Sequence, residues 1–124
     1  MTTDEILAYC LSKPGAYLDY PYGEIPICFK VENRLFAQLY PKSDDRKITL
    51  NCDRAAGELY RRLYPDTVTR GYHCPPMLQP YFSTIALNGA LPDEELRLMI
   101  DQAYAVVVKK LPKYKQKRLE EQPL

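Results

Sequence analysis

The chain has 124 residues, of which 46% are hydrophobic and 27% are charged, and its formal net charge is +1. This length fits one domain with a single core, and the composition argues against disordered and membrane-protein classes. No apolar run approaches the roughly 20 residues that cross a bilayer, and the acidic start of the chain is unlike a signal peptide. We therefore expect a cytoplasmic domain that has no role at a membrane.

The chain begins with the pattern of a short helix. Thr2 followed three residues later by Glu5 predicts a capping box, and apolar residues then recur at helical spacing. Pro14 ends this pattern, and a tyrosine-rich connection over residues 17–23 leads to the next element.

Three segments, residues 27–31, 35–39 and 47–52, alternate apolar and polar side chains with a period of two. This alternation is typical of strands that face a core on one side. Residues 32–33 suit a tight turn because asparagine tolerates positive φ. We predict an antiparallel meander whose second loop, residues 41–46, protrudes as a wing.

The pattern of the second half of the chain predicts two more strands and two more helices. Asp53 is a suitable N-cap for a helix that ends before Pro65. Short strands are predicted over residues 67–72 and 81–87, and the proline-rich segment 73–80 between them predicts an irregular loop.

A long final helix begins at Pro92, and its apolar residues advance by three or four positions for about five turns until Pro112. The predicted order is α-β-β-β-α-β-β-α. This order favours an α+β fold, a two-layer sandwich with an antiparallel sheet and helices on one face. Residues 1–112 form the predicted domain, and residues 113–124 are expected to be a flexible basic tail.

The sequence carries no pattern that predicts catalysis or a cofactor. Cys10, Cys28, Cys52 and Cys74 are far apart and form no Cys-x-x-Cys pair, so we expect reduced, structural thiols and no metal site. The single histidine, His73, is next to Cys74, but neighbours in an extended segment point to opposite faces. We expect a non-enzymatic protein without a cofactor.

Several short motifs follow one another in a characteristic order along the chain. They are Leu18-Asp19-Tyr20-Pro21-Tyr22-Gly23, Phe29-Lys30-Val31, Leu35-Phe36-Ala37, Gly71-Tyr72-His73, Phe82-Ser83-Thr84-Ile85, Leu87-Asn88-Gly89-Ala90-Leu91-Pro92 and Val107-Val108-Lys109-Lys110-Leu111-Pro112. In kind and order these motifs resemble the MmcQ/YjbR family of small bacterial proteins. The resemblance implies a secretion-chaperone-like fold and DNA binding through a double wing of β-hairpin loops. The chain departs from the family over residues 74–80, where an uncharged, proline-rich segment replaces a basic run.

Two functions fit these observations. The first is weak, largely non-specific binding of double-stranded DNA, because basic side chains on loops and at the chain end attract phosphates. Six of the 17 Lys and Arg residues fall within residues 109–124, although Asp44 and Asp45 oppose binding at the wing. The candidate contacts are Arg34, Lys42, Arg46, Lys47, Arg70, His73, Lys109, Lys110 and Lys113.

The second function is that of a protein-interaction or regulatory module with no nucleic-acid role. The chain has 11 tyrosines, and tyrosine is enriched where protein surfaces are recognised. Packing at the edges of a small sheet would explain many of these rings equally well. The candidate interaction patch is Tyr20, Tyr22, Tyr72, Met77 and Tyr81.

Overall fold

The computed structural model describes residues 1–72 and 74–121 of the chain. The helices within these residues are α1 (Thr3–Leu11), α2 (Arg54–Leu63), α3 (Asp93–Lys109) and α4 (Lys113–Glu120). The strands are β1 (Tyr17–Asp19), β2 (Ile27–Val31), β3 (Arg34–Tyr40), β4 (Lys47–Asn51), β5 (Val68–Arg70) and β6 (Phe82–Ala86). A single 3₁₀ turn, Gln79–Tyr81, precedes β6.

All six strands belong to one antiparallel sheet with the order β1-β2-β3-β4-β6-β5. The predicted meander is present as β2, β3 and β4, and the helices pack on one face of the sheet around a shared apolar core. The predicted α+β class, with an antiparallel sheet and helices on one face, is therefore confirmed.

The predicted helix starts at Thr2 and Asp53 are also present, and α3 begins at Asp93, one residue after the predicted Pro92. The Thr2 side chain accepts a hydrogen bond from the Glu5 backbone N–H, and the Glu5 carboxylate accepts one from the Thr2 N–H. The Asp53 carboxylate accepts from the backbone N–H groups of Ala55 and Ala56 at the start of α2. These contacts satisfy backbone donors that a helix leaves without partners in its first turn.

Two elements add to the predicted order. Strand β1 lies within the segment expected to be a connection, and it pairs with β2 at the edge of the sheet. Helix α4 lies where the flexible tail was expected, and Leu119 on this helix is buried in the core. The Arg118 guanidinium donates to the Glu32 carboxylate at 2.6 Å, which ties α4 to the turn between β2 and β3.

An irregularity in the pairing of β2 and β3 decides which side chains face the helices. The partners of Phe29 and Lys30 are Ala37 and Leu35, so the register skips Phe36. Phe36 and Ala37 are therefore both buried in the core, where the Phe36 ring packs edge-on against Tyr104 at a centroid distance of 5.5 Å. An extra residue in one strand re-aims the side chains that follow it.

Candidate binding cleft

The face of the sheet opposite the helices is partly covered by two loops, whose described residues are 20–26 in the first and 71–72 and 74–81 in the second. Beneath them, the hydroxyl groups of Thr49 and Thr84 are 2.8 Å apart, and Thr84 Oγ1 also accepts from the Tyr72 backbone N–H at 2.8 Å. Both threonines are buried. The loops and this polar pair therefore close part of the open face and leave the rest accessible.

A cleft of ≈ 540 Å³ lies between the two loops. Its lining is aromatic, aliphatic or neutral polar, and it holds no charged side chain among the residues that the structure describes. The lining consists of Tyr22, Ile25, Pro26, Leu35, Gln38, Tyr40, Tyr72, Cys74, Pro75, Leu78 and Phe82. The volume falls within the roughly 300–1,000 Å³ that is usual for ligand-binding sites.

Lys47 on β4 supports one wall of this cleft. Its Nζ lies 3.8 Å from the centroid of the Tyr72 ring and 5.5 Å from that of Tyr40, and the two rings meet edge-on at 5.4 Å. The ammonium is also 2.8 Å from the Asp45 carboxylate. Burial raises the pKa of the Tyr40 phenol, so this ring stays neutral. A cation held against two rings in a partly dry site fixes their positions.

The predicted interaction patch is distributed around the cleft. Tyr22 and Tyr72 line it directly, whereas Tyr20 and Met77 lie on its two loops and are 49% and 87% exposed. Tyr81 lines an adjoining cleft of ≈ 370 Å³. Four of the five residues therefore lie in or beside the main cleft, and Tyr81 lies in the adjoining one.

Sequence reasoning missed other lining residues, Leu35, Gln38, Tyr40, Leu78 and Phe82. The alternation in β3 places Gln38 and Tyr40 on the face opposite the core, so these two could have been found. Leu35 could not, because the irregularity at Phe36 moves it to the open face.

The cleft continues over the ends of the strands toward the end of α3. The adjoining cleft shares Leu78 and Phe82 with the main cleft and is also lined by Asn51 and Lys110. A third cleft of ≈ 320 Å³ shares Leu35 with the main cleft. It shares Asn51 and Lys110 with the adjoining cleft. Arg34 lines this third cleft.

The structure separates the predicted nucleic-acid contacts into groups at opposite ends of β3. Lys42 is exposed in the wing loop beyond Tyr40, while Arg34 is exposed at the other end of the same strand. The six residue steps from Arg34 to Tyr40 span ~20 Å at ~3.3 Å per step. Lys109, Lys110 and Lys113 are exposed near the Arg34 end, where α3 meets α4.

Two basic residues, Arg46 in the wing and Lys47 just after it, are already engaged within the fold. Arg46 donates to the Met1 carbonyl at 2.8 Å and to Thr3 Oγ1 at 3.3 Å, and Lys47 contacts Asp45, Tyr40 and Tyr72.

Other charged or polar candidates lie elsewhere. Arg70 is exposed at the end of β5, on the far side of β4 and β6 from Arg34. His73 lies outside the described residues.

All four cysteines are free thiols; Cys10, Cys28 and Cys52 are buried, and Cys74 is partly exposed at the cleft. Burial raises the pKa of Cys10 to about 12, and burial also raises the pKa values of Cys28 and Cys74. A protonated thiol is a poor nucleophile and a poor metal ligand. Within the described residues, no group of three or more His, Cys, Asp and Glu side chains is arranged to hold a metal ion. The helices of the described residues are too short or too polar to cross a bilayer.

Comparison with protein-family models matches residues 11–106 to the YjbR family. The chain is 32% identical over 119 residues to the uncharacterized protein YjbR of Escherichia coli K12, covering 96% of this chain and 98% of that protein. The protein of the same name from Escherichia coli O157:H7 has the same identity and coverage.

Two crystal structures resemble this fold. A Deinococcus radiodurans protein, DR2400, with a domain named DUF419, has a TM-score of 0.87 and 27% identity, covering 96% of this chain and 88% of that chain. A Pseudomonas syringae protein has a TM-score of 0.68 and 18% identity, covering 86% and 98% respectively, which is a likeness of fold.

Proposed function

The chain belongs to the YjbR family, and we propose that it acts as a non-enzymatic binding module that takes a segment of a partner protein in the cleft on its open sheet face. The observation that carries the proposal is the cleft of ≈ 540 Å³ with an aromatic and aliphatic lining. Concave, mostly apolar sites with a few polar groups are the usual places where ligands bind.

The surroundings of the cleft favour a protein segment over a small molecule. Beside the half-exposed lining residue Leu78, further apolar side chains on both loops reach solvent, with Met77 at 87% exposure and Tyr20 and Tyr81 close to half exposed. A contiguous exposed apolar surface with tyrosines is typical of recognition between proteins. Tyrosine is suited to this role because it offers a large contact area with few rotatable bonds.

A matched pair of exposed leucines provides the test. Leu78 and Leu98 are each 49% exposed, but Leu78 lines the cleft and Leu98 lies on α3, which packs on the other face of the sheet. Peptides would be selected from a displayed library of random sequences and measured by fluorescence anisotropy against the wild-type protein, Leu78→Asp and Leu98→Asp.

We expect Leu78→Asp to weaken binding of the selected peptides at least tenfold, because a carboxylate in an apolar contact must lose its water. Leu98→Asp should leave binding unchanged. Failure to select any peptide, or equal binding by both variants, would contradict the proposal.

Double-stranded DNA is the second candidate, favoured by the exposed cations Arg34, Lys109, Lys110 and Lys113 at one end of the molecule. Such a cluster can contact phosphates without reading bases. The wing contributes less to this candidate, because Arg46 and Lys47 have partners within the protein and Asp44 and Asp45 lie beside Lys42.

Anisotropy with a labelled duplex at low salt tests DNA binding. Affinity that falls steeply with added salt and is weakened by Lys109→Gln and Lys113→Gln would support it. Absence of binding at high micromolar protein would remove this candidate.

A further inference from the structure

The apolar main cleft adjoins basic residues at the Arg34 end of β3. Leu35 lines both the main cleft and the third cleft, and the third cleft also contains Arg34 and Lys110. The adjoining cleft connects the same regions through Leu78 and Lys110. One accessible path therefore runs from an uncharged aromatic floor, over the strand ends at Asn51, to a basic rim.

The two cations on this path are not neutralised within the protein by any described ion pair. Arg34 and Lys110 are exposed, whereas Lys115 and Arg118 on α4 both lie within 4 Å of the Glu32 carboxylate. Two cations beside an apolar groove favour a ligand that has a negatively charged part next to an apolar part.

We infer that the partner segment is an extended stretch with apolar or aromatic residues in the main cleft and acidic residues at the Arg34 and Lys110 rim. This inference rests on the proposed function and specifies its ligand. Leu35 and Tyr40 mark the two ends of the cleft along β3, and the five residue steps between them span ~17 Å at ~3.3 Å per step. An apolar stretch of about five extended residues followed or preceded by acidic ones fits this length.

An acidic peptide explains the arrangement better than a nucleic acid does. A duplex needs cations spread along its backbone, but the wing and the rim lie ~20 Å apart on either side of an uncharged cleft. The cleft itself offers neutral side chains where phosphates would require donors or cations. A short acidic block requires only the two cations of the rim.

The test uses dye-labelled synthetic peptides with one apolar block, made of Leu, Tyr and Pro, and one block of Glu. Both block orders are made, together with versions in which Gln replaces Glu. We expect a Glu peptide to bind about five- to tenfold more tightly than its Gln counterpart at low salt, with the difference shrinking as salt is added, as for exposed charge pairs.

Arg34→Gln and Lys110→Gln should each reduce the preference for Glu over Gln. Lys42→Gln is the control, because it removes the same charge from an exposed position at the opposite end of β3. An effect of Lys42→Gln equal to those of the rim variants would contradict the inference.

The outcomes separate the inference from the proposed function. If Glu and Gln peptides bind equally and both bind less well to Leu78→Asp, the binding module stands and the acidic partner is wrong. If neither peptide nor any library selection shows binding sensitive to Leu78→Asp, the binding module itself is wrong. If the rim variants lose duplex DNA binding but keep the Glu preference, the rim serves phosphates and the inference is overturned.

Discussion

On the helix-covered face of the sheet, side chains such as Phe29, Leu39, Ile48 and Ile85 are completely buried, whereas the opposite face carries aromatic and polar side chains that reach solvent through the cleft. The same strands supply both faces. Burial of apolar area on the helix-covered face supplies most of the stability of the fold. The opposite face can therefore keep apolar surface accessible for binding. Substitutions on the two faces should therefore change different measured properties.

The largest effect on stability is expected from Phe36→Ala on the helix-covered face. Phe36 is 1% exposed and contacts the rings of Phe29 and Tyr104, so truncation leaves a cavity. We expect the free energy of unfolding, measured by urea denaturation, to fall by about 3–5 kcal/mol. Tyr22→Ala, at a ring 69% exposed on the open face, should change it by less than about 0.5 kcal/mol. Similar losses in both variants would break the contrast between the faces.

Lys47→Met tests the support beneath the cleft wall. The substitution keeps much of the apolar stem but removes the cation from the rings of Tyr40 and Tyr72. We expect unfolding free energy to fall by about 1–2 kcal/mol, and peptide affinity to fall with it. Asp45→Asn should cost less than about 0.5 kcal/mol, because the Asp45 carboxylate is mostly exposed. Equal losses would assign the effect to the ion pair instead of the rings.

Thr49→Val tests how much the buried hydrogen bond between Thr49 and Thr84 on the open face contributes to stability. The change keeps the shape of Thr49 but removes its hydrogen bond to Thr84, whose hydroxyl retains the Tyr72 N–H. We expect a loss of about 1 kcal/mol in urea denaturation. Thr69→Val is the comparison, since Thr69 is exposed and its hydroxyl makes a longer bond of 3.4 Å to the Thr84 carbonyl. A stabilised Thr49→Val protein would mean that this pair adds nothing.

The smallest effect is expected at the exposed contact between Glu32 and α4. The hydrogen bond from Arg118 lowers the pKa of the Glu32 carboxyl below its ordinary value of 4.5. Because the folded-state pKa is depressed, the stabilisation is present above pH 4.5 and is lost as pH falls through the folded-state value. In Arg118→Gln, NMR titration should show the Glu32 pKa closer to its ordinary value.

Lys117→Gln provides the control for that titration, because Lys117 lies on the same helix and is exposed without a described ion pair to Glu32. Its effect on the Glu32 pKa should be smaller than that of Arg118→Gln. If the Glu32 pKa is the same in Arg118→Gln as in the wild-type protein, the contact between Arg118 and Glu32 does not persist in solution.

The sequence predicted those elements of the fold that are marked by a pattern of neighbouring residues. The capping pattern at Thr2 and Glu5 and the alternation in β2, β3 and β4 each identify an element from neighbouring residues alone. Strand β1 has only three residues at an edge and none of them is buried, so it lacks a strong apolar alternation. Helix α4 has a single buried residue, Leu119, within a basic run that is typical of a solvated tail.

The site was less predictable because it depends on contacts between distant segments. Tyr22 and Tyr72 were identified by residue type, but nothing in the sequence states that two loops 50 residues apart enclose one cleft. The position of Leu35 depends on the register that skips Phe36. The separation of Arg34 from Lys42 likewise follows from the direction of β3, which a list of basic residues does not contain.

The aromatic lining of the cleft has a consequence for spectroscopy. The chain contains 11 tyrosines and no tryptophan, so one introduced indole would be the only such fluorophore in the protein. Tyr22 lines the cleft and is 69% exposed, which makes Tyr22→Trp a substitution with room for the larger ring. Emission from that indole would shift to shorter wavelength when a ligand excludes water from the cleft. Because the chain has no tryptophan of its own, indole emission would report the occupancy of this one site directly.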